Sequence, residues 1–304
     1  MPDMVFQTGN LTKRYGQAPA LDDVSMSIEK GQIYGLVGRN GAGKTTLMRI
    51  AAGQILPTQG SLSLFGSTDL ESQRGRIGAI VEIPSFYPYL TARQNLEYYR
   101  IQRGIPGKGC VEEALEQVRL TDTGKKTFKT FSLGMKQRLG LALALMGRPE
   151  VLLLDEPING LDPEGIVEFR GLLLELNRQR GTTILISSHI LTELSNLATV
   201  YGFMDKGRLL EQISAEDLHA KCRACLQLTV TDAARAAAVL ERDLGLRDFE
   251  VLPGQVLRLY SYLEHPQRIT AALVTQGVGL LGVENKDTSL EDYFLKLIGG
   301  GVHA

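Results

Sequence analysis

"GLVGRNGAGKTT" (residues 35–46) is the stretch of the chain that decides the fold. It matches the pattern G-x-x-x-x-G-K-[ST] at Gly38, Gly43, Lys44 and Thr45, between a predicted strand and a predicted helix. Glycines let successive backbone amides converge on an anion, and the helix N-terminus adds partial positive charge. The stretch therefore predicts a loop for a triphosphate, with Lys44 at the β- and γ-phosphates and the Thr45 hydroxyl on Mg²⁺. The alternative, a glycine-rich turn with an exposed lysine, is disfavoured by the flanking strand and helix.

Two adjacent carboxylates follow the apolar run that opens "VLLLDEP" (residues 151–157). The apolar run predicts a buried strand, and its C-terminal end is where open α/β sheets bind ligands. Asp155 fits the Mg²⁺-associated role of a Walker B acid, and Glu156 is placed to polarise a water molecule for attack on the γ-phosphate. The alternative is that the two acids only form a turn and cap a helix. The phosphate loop upstream favours the functional interpretation.

Short β-like runs alternate with helical patterns over the first 215 residues of the chain. Such alternation predicts an α/β fold with a largely parallel sheet that is covered on both faces. We expect residues 1–83 and 150–215 to form the ATP-binding core and residues 84–149 to form an inserted helical subdomain. Residues 216–304 have roughly a βαββαβ pattern plus a last helix, which predicts a small α+β C-terminal accessory domain.

The composition is that of an ordinary globular protein, with 304 residues, 43% apolar and 22% charged. The formal net charge of -1 is unlike the basic footprint of a nucleic-acid binder. The longest apolar run, residues 139–146, is far shorter than the ~20 residues that span a bilayer. The N-terminal stretch lacks the charged and apolar regions of a signal peptide. We therefore expect a cytosolic protein with no nucleic-acid partner and no membrane span of its own.

The chain has three cysteines, a sparse and odd number that argues against a disulfide framework. Cys222 and Cys225 form a C-x-x-C pair, but two further thiolate or imidazole ligands at the spacing of a structural zinc site are lacking nearby. We interpret the pair as incidental.

With these motifs in place, residues 1 to about 215 resemble the nucleotide-binding subunit of an ABC transporter. The resemblance implies a P-loop NTPase fold, with a RecA-like, mostly parallel sheet and an antiparallel β part. "FSLGMKQR" (131–138) occupies the position of the signature motif LSGGQxxR, "NGLDP" (159–163) matches the D-loop, and "SSHIL" (187–191) matches the switch histidine. Leu133 and Met135 replace the Gly and Gln of the family signature. The helix N-terminus there still offers amide donors to an anion.

The resemblance implies that the cofactors are ATP and Mg²⁺ and assigns roles along the whole core. Glu156 and His189 are implied to be catalytic, His189 through a contact to the γ-phosphate, and Thr45, Glu82 and Asp155 are implied at the metal. The residues expected to contact nucleotide are Tyr15, Gly38, Asn40, Gly41, Ala42, Gly43, Lys44, Thr45, Thr46, Ser132, Gly134 and Asp162. Without the resemblance, Tyr15 would be interpreted as core packing; with it, Tyr15 is the aromatic that stacks on adenine.

A single carboxylate, Glu82, follows the apolar run at residues 77–81. Most members of the family have the glutamine of the Q-loop at this position. A carboxylate suits Mg²⁺, which prefers hard anionic oxygen, but it donates no hydrogen bond and adds negative charge beside a triphosphate. Glu82 together with "SLGMKQR" is similar to the bacitracin-resistance and lantibiotic-immunity branch of the family. The alternative is a surface acid with no part in turnover.

Phe86, Tyr87 and Tyr89 follow Glu82 in a loop that two prolines stiffen. The resemblance implies that this surface receives a short coupling helix from a membrane subunit, and the alternative is a loop that borders the core. The C-terminal segment carries no catalytic constellation. Dimer support, regulation and a packing appendage are all open for it.

The resemblance implies an ATP-hydrolysing subunit that powers a separate integral-membrane permease, with export of an antimicrobial peptide or a hydrophobic compound. It implies a dimer, in which the signature of one copy closes over ATP held by the other, and a cytoplasmic location on the inner face of the cell membrane through the permease. The alternatives are a soluble ATPase acting on the ribosome or nucleic acid, and an inactive nucleotide-binding module. The single cassette disfavours the first, and the intact Lys44, Asp155, Glu156 and His189 disfavour the second.

Overall fold

A computed structural model of the protein describes residues 3–82, 85–107, 109–261, 265–286 and 290–299. Backbone contacts divide the chain into two compact units, Met1–Ala215 and Glu216–Ala304. Pro84, one of the two prolines of the aromatic loop, lies outside the described residues. In the part of the chain that is described, every helix is too short or too polar to cross a membrane.

Strands and helices alternate in both units and are numbered in chain order. The strands of the first unit are β1 (Met4–Tyr15), β2 (Ala18–Glu29), β3 (Ile33–Gly38), β4 (Gln59–Leu64), β5 (Ile77–Ile80), β6 (Val151–Asp155), β7 (Thr183–Ser188), β8 (Val200–Asp205) and β9 (Arg208–Ser214). The helices of this part of the chain are α1 (Lys44–Ala51), α2 (Leu70–Arg74), α3 (Ala92–Gln102), α4 (Gly109–Gln117), α5 (Leu133–Leu145), α6 (Pro163–Arg180) and α7 (Leu191–Leu194). Short 3₁₀ turns at Thr121–Thr123 and Phe128–Thr130 lie between α4 and α5.

The elements of the second unit follow in the same numbering. They are α8 (Ala215–Lys221), β10 (Cys225–Val230), α9 (Ala233–Leu244), β11 (Phe249–Leu252), β12 (Val256–Leu259), α10 (Pro266–Thr275), β13 (Leu280–Lys286) and α11 (Leu290–Gly299). This is the predicted βαββαβ order with a last helix.

The larger sheet of the first unit has six strands in the order β5-β6-β7-β3-β8-β9. The strands from β5 to β8 pair in parallel, and β9 joins β8 in the antiparallel sense. All residues of β3 and β7 are buried, as is typical of central strands in a parallel sheet covered on both faces. Because β3, β6 and β7 are parallel neighbours, their carboxyl ends meet at one edge of the sheet.

A second, antiparallel sheet with the order β2-β1-β4 supports the helix that follows β3. Buried residues of its strands, such as Phe6, Leu11 and Leu64, form one apolar cluster with Leu47 and Met48 of α1. This packing holds α1, and with it the loop between β3 and α1, in a fixed place.

The helical segment between β5 and β6 lies within the first compact unit. Its helix α3 begins with a capping box, in which the Thr91 hydroxyl accepts from the Gln94 amide and the Gln94 side chain accepts from the Thr91 amide. Glu113 of α4 forms ion pairs with Arg148, after α5, and with Arg180 at the end of α6. The hydrogen bond from Arg148, reinforced by Arg180, lowers the pKa of Glu113. The helical segment is thus joined to the core by charge as well as by packing.

The sheet of the second unit is antiparallel throughout, with the order β11-β12-β10-β13. Leu226 and Leu228 of β10 and Leu257 of β12 form a core with Ile269 and Leu273 of α10. Since side chains alternate along a strand, the polar residues of β10 and β12 lie on the opposite face.

Candidate nucleotide-binding site

The loop between β3 and α1 has a backbone shape that needs glycine. Gly43 has a φ of 106°, and a Cβ built on it would lie 2.6 Å from the carbonyl oxygen of Ala20. A Cβ on Gly38 would lie 2.6 Å from the carbonyl oxygen of Met204. The spacing of the sequence motif therefore reflects two places where the backbone passes too close to its neighbours for any side chain.

Lys44 is buried in this loop, with only 4% of its surface exposed. Its Nζ donates hydrogen bonds to the carbonyl oxygens of Gly38 (2.5 Å) and Arg39 (3.2 Å), and it lies 3.3 Å from Glu156 Oε1. A buried ammonium group is stable only when oxygen atoms surround it, and the loop supplies them. The charge is thus held in position at the base of the loop.

A cavity of about 290 Å³ lies over the loop. The residues that line it are Ala20, Asn40, Gly41, Ala42, Gly43, Lys44, Thr45, Thr46 and Glu156. The amides of Lys44, Thr45 and Thr46 open α1 and have no partner within the helix, where Leu47 is the first to donate, to Gly43 O at 3.0 Å. Unpaired amides, the helix dipole and the lysine together favour an anion such as a phosphate group.

Three side chains and one backbone amide form a hydrogen-bonded network beside this cavity. The Thr45 hydroxyl donates to Asp155 Oδ2 at 2.7 Å, and the Ser187 hydroxyl donates to Asp155 Oδ1 at 2.6 Å. The Ser187 oxygen also accepts from the Glu156 amide at 2.9 Å. The pairing of β6 with β7, which places Asp155 opposite Ser187, makes this network possible.

Glu156 stands at the end of β6 with a left-handed backbone, φ 46°. Its Oε2 lies 3.1 Å from His189 Nδ1 and accepts from the Asn159 side-chain amide at 3.3 Å. Since Oε1 faces Lys44, both oxygens of the carboxylate have partners. The structure therefore brings together Lys44, Glu156 and His189, three residues that the sequence analysis selected from different parts of the chain.

Ser187 is a residue that the sequence analysis did not single out for a role. It is fully buried and touches both acids of the site. Its only signal in the sequence is its place in "SSHIL", two residues before the predicted switch histidine. The next residue, Ser188, instead accepts from the Ile190 amide and donates to Glu193, so the two serines have different roles.

Glu82 lies apart from this network. Its carboxylate forms an ion pair with Arg49 of α1, and its side chain is 64% exposed. Glu82 has a φ of 66°, a conformation that is uncommon for residues with side chains. The expected contribution of Glu82 to a metal site is therefore an open prediction, and Arg49 is a partner that the sequence did not reveal.

The predicted signature residues line a separate cavity of about 400 Å³ between the start of α5 and the start of α6. Ser132 caps α5 by accepting from the Met135 amide at 3.3 Å, and Asp162 caps α6 by accepting from the Gly165 amide at 3.1 Å. Gly134 lies in the first turn of α5, where an added Cβ would be 3.7 Å from Leu161. Two helix N-termini thus face one open space.

Tyr15 is 52% exposed, which excludes the interpretation that it is a core residue. The Lys13 Nζ lies 5.2 Å from the centroid of its ring. Within the aromatic loop, Phe86 is buried against Tyr99 and Phe128, whereas Tyr87 and Tyr89 are exposed. The ring of Phe86 therefore contributes to the core of the helical segment, as the alternative of a core-bordering loop implied, and a coupling-helix surface stays a prediction for Tyr87 and Tyr89.

Across the described ranges, no group of three or more His, Cys, Asp and Glu side chains could hold a metal ion alone. Cys222 and Cys225 are free thiols in that part of the chain. A metal ion at the network of Thr45 and Asp155 would need further oxygen ligands from a bound molecule, which phosphate groups provide.

Comparisons with known proteins agree with these motifs. Residues 21–159 match the family model for ABC transporter. The chain is similar to the bacitracin transport ATP-binding protein BcrA of Enterococcus faecalis, with 42% identity over 302 residues that cover 98% of each chain. It is also similar to the lantibiotic transport ATP-binding protein SrtF of Streptococcus pyogenes, with 42% identity over 66% of this chain and 87% of that one.

Among solved structures, the chain is similar to cbiO1 of Clostridium perfringens, part of the ABC transporter complex cbiONQ. The TM-score is 0.66 and the sequence identity 25%, over 79% of this chain and 96% of that chain. The predicted α/β fold class is confirmed by this likeness and by the sheet topology.

Proposed function

Because this chain belongs to the family of ABC transporter ATP-binding proteins, which are ATPases, we propose that it powers a separate integral-membrane permease that exports an antimicrobial peptide or a hydrophobic compound. The predicted resemblance to this family is confirmed. The substrate class is supported by the bacitracin and lantibiotic transport proteins, which are 42% identical to the chain. The alternative of a soluble ATPase acting on the ribosome or nucleic acid is not favoured.

The observation that carries the proposed chemistry is the network of Thr45, Asp155, Ser187 and Glu156 at the mouth of the phosphate loop. It places a candidate general base next to the cavity with unpaired amides and a buried ammonium group. In our proposal, Lys44 exchanges its bonds to Gly38 O and Arg39 O for phosphate oxygens of ATP. The loop amides bind the remaining phosphate oxygens.

The metal in this proposal is Mg²⁺, which neutralises phosphate charge when bound. The residues fit it, because the Thr45 hydroxyl and Asp155 present hard oxygen atoms 2.7 Å apart. Ser187 orients Asp155 by occupying its other oxygen. Glu82 would approach the metal only by leaving Arg49.

Glu156 is the proposed general base. Its Oε1 lies 3.3 Å from Lys44, so movement of the ammonium group toward phosphate frees that oxygen to accept a proton from water. His189 and Asn159 hold the other oxygen and so fix the orientation of the carboxylate. In our proposal, His189 also contacts the γ-phosphate.

The cavity at Ser132 supports a dimer. We propose that Ser132, Gly134 and Asp162 of one copy contact ATP held by the phosphate loop of a second copy, where two helix N-termini favour an anion. The exposed Tyr15 ring would stack on the adenine. The permease would place this dimer at the cytoplasmic face of the cell membrane.

Co-expression of the chain with a permease from the neighbouring reading frame tests the whole proposal. In a bacitracin-sensitive host, the pair is expected to raise the inhibitory concentration of bacitracin or a lantibiotic and to co-fractionate with membranes. Lys44→Ala, which removes the loop charge, is expected to abolish the protection, while the exposed Lys125→Ala serves as the matched control. Co-sedimentation with ribosomes and no protection would overturn the proposal.

A further inference from the structure

The second unit contains a cavity of about 500 Å³ that is unrelated to the phosphate loop. It is lined by four basic side chains and two tyrosines: Lys221, Arg223, Arg258, Lys296, Tyr260 and Tyr293. We call it the basic pocket. Its size lies within the range of about 300–1,000 Å³ that is typical of small-molecule sites.

The fold explains why charge collects in this place. Leu257 and Leu259 of β12 are buried under the helices, so Arg258 between them lies on the opposite face of the sheet. Arg258 is directly opposite Gln227 on β10 and Glu250 on β11. Helices α8 and α11 contribute Lys221 and Lys296.

Two of the four basic groups are already engaged with side chains of the same unit. Arg223 forms an ion pair with Asp248 at 2.5 Å, and Lys221 Nζ lies 2.9 Å from the Tyr293 hydroxyl. The other two have spare hydrogen-bonding capacity. Among the residues that the structure describes, Arg258 makes one hydrogen bond, from Nε to Gln227 at 3.3 Å, and Lys296 makes no hydrogen bond or ion pair.

Glu250 also lines the pocket and adds one negative charge to it. The pKa of Tyr260 is raised, chiefly by burial and further by a hydrogen bond with Glu250. The small, buried Cys225 also lines the pocket. The pocket thus combines unused positive charge with an aromatic and apolar wall.

We propose that the basic pocket binds a small organic phosphate, with Arg258 and Lys296 as the ligands of the phosphate group and the tyrosines beside its organic part. A phosphate dianion matches several cations better than a carboxylate does, and the planar guanidinium of Arg258 suits its oxygen atoms. This site is additional to the proposed ATPase and does not depend on it.

Calorimetric titration of the full chain with phenyl phosphate tests the site. Wild type is expected to bind phenyl phosphate more tightly than inorganic phosphate or benzoate, and the double variant Arg258→Gln/Lys296→Gln is expected to bind at least about tenfold more weakly. Arg247→Gln/Arg268→Gln removes the same charge from exposed residues of the same unit that do not line the pocket, and should bind as wild type does. Lys44→Ala should also bind normally, because the phosphate loop is a different site.

Three results would overturn the proposal. In the first, wild type does not bind phenyl phosphate at millimolar concentration. In the second, the double variant binds it as tightly as wild type does. In the third, Lys44→Ala loses binding while the double variant keeps it. Thermal unfolding establishes that each variant is folded. If the double variant is not folded, the single variant Lys296→Gln, at an exposed helix position, replaces it. Phosphate release from ATP by the double variant, measured without added ligand, should equal that of wild type, so failure of this site is distinguishable from failure of the proposed ATPase.

Discussion

The two units of this chain use the same alternation of strands and helices but place their polar residues differently. In the first unit β3, β6 and β7 run parallel, and Gly38, Asp155 and Ser188 end them at a common edge. In the second unit every strand pair is antiparallel, and the basic side chains lie on a face of the sheet.

The difference shows what strand direction makes possible. Parallel strands deliver backbone amides, a lysine, hydroxyls and carboxylates to one edge, where their mutual distances are fixed by the sheet. Antiparallel strands alternate in direction, so residues at successive strand ends are separated and only the faces collect side chains from several strands. An edge of the first kind suits chemistry on a phosphate chain, and a face of the second kind suits binding.

The largest expected effect on ATP hydrolysis comes from a change at Glu156, at the edge of the parallel sheet. Glu156→Gln removes the proposed general base while keeping the shape of the side chain, so ATP hydrolysis should fall by roughly 10²–10⁴-fold. ATP binding and ATP-dependent pairing of two copies should persist, as measured by size-exclusion chromatography with ATP. The exposed Glu116→Gln is the control. Turnover within tenfold of wild type would show that another group acts as the base.

The second prediction asks whether the second unit takes part in the chemistry. Leu228 is fully buried in its core, so Leu228→Ala should lower the free energy of unfolding by about 2–5 kcal/mol. ATP turnover per folded molecule should not change. Urea unfolding and phosphate release below the transition measure the two quantities, and Leu281→Ala, at a 70% exposed position, is the matched control. A loss of turnover in folded Leu228→Ala would break the division between the units.

The third prediction concerns Ser187, which links the acids at the edge of the parallel sheet. Ser187→Ala leaves one oxygen of Asp155 and the Glu156 amide without a partner, at a cost of about 1–3 kcal/mol. Turnover should fall by about tenfold through misorientation of both acids. Ser188→Ala, which removes bonds to Glu193 and Ile190 instead, should affect turnover less. Equal effects of the two variants would contradict a specific role for Ser187.

A smaller effect is expected from Arg49. The ion pair with Glu82 is exposed, so Arg49→Gln should change the free energy of unfolding by less than about 1 kcal/mol. If Glu82 binds the metal, freeing Glu82 from Arg49 should lower the half-saturating Mg²⁺ concentration for ATP hydrolysis by about two- to fivefold. Adding Glu82→Gln should abolish that gain. An unchanged Mg²⁺ dependence in Arg49→Gln and in Glu82→Ala would identify Glu82 as a surface acid.

The smallest expected effect is the pH dependence of Glu113. Hydrogen bonds from Arg148 and Arg180 lower its pKa in the folded protein, so its charge stabilises the fold above the ordinary carboxyl pKa of about 4.3. That contribution is lost as pH falls through the lower folded-state pKa. Glu113→Gln should therefore cost less than about 1 kcal/mol at pH 7, since the pair is partly solvated.

The measurement for Glu113 is urea unfolding of wild type and variant as the pH is lowered. The difference between the two should shrink in acid, and Glu116→Gln should show no such trend. A difference that grows as pH falls would have the wrong sign for this ion pair.

How much of this could be predicted from the sequence differs between residues. Gly38, Gly43, Lys44 and Thr45 were predictable because a local spacing encodes the loop, and steric contacts of the two glycines explain that spacing. The order of helices and strands along the second unit, βαββαβ, could be predicted from the periodicity of apolar residues. These features depend on neighbours in the chain.

The features that escaped prediction depend on distant pairing. Ser187 gains its role only because β6 and β7 are neighbours, and the contact of Arg49 with Glu82 spans 33 positions of the chain. Whether Phe86 belonged to the surface or to the core stayed open, because its burial depends on Tyr99 and Phe128. The basic pocket combines residues from 221 to 296, and no local pattern connects them.

The buried ammonium group of Lys44 has a consequence for how quickly the protein can exchange its nucleotide. Its bonds to Gly38 O and Arg39 O tie the side chain to the backbone of its own loop, so contacts within the protein set the shape that a nucleotide meets. Little conformational entropy is then lost on capture.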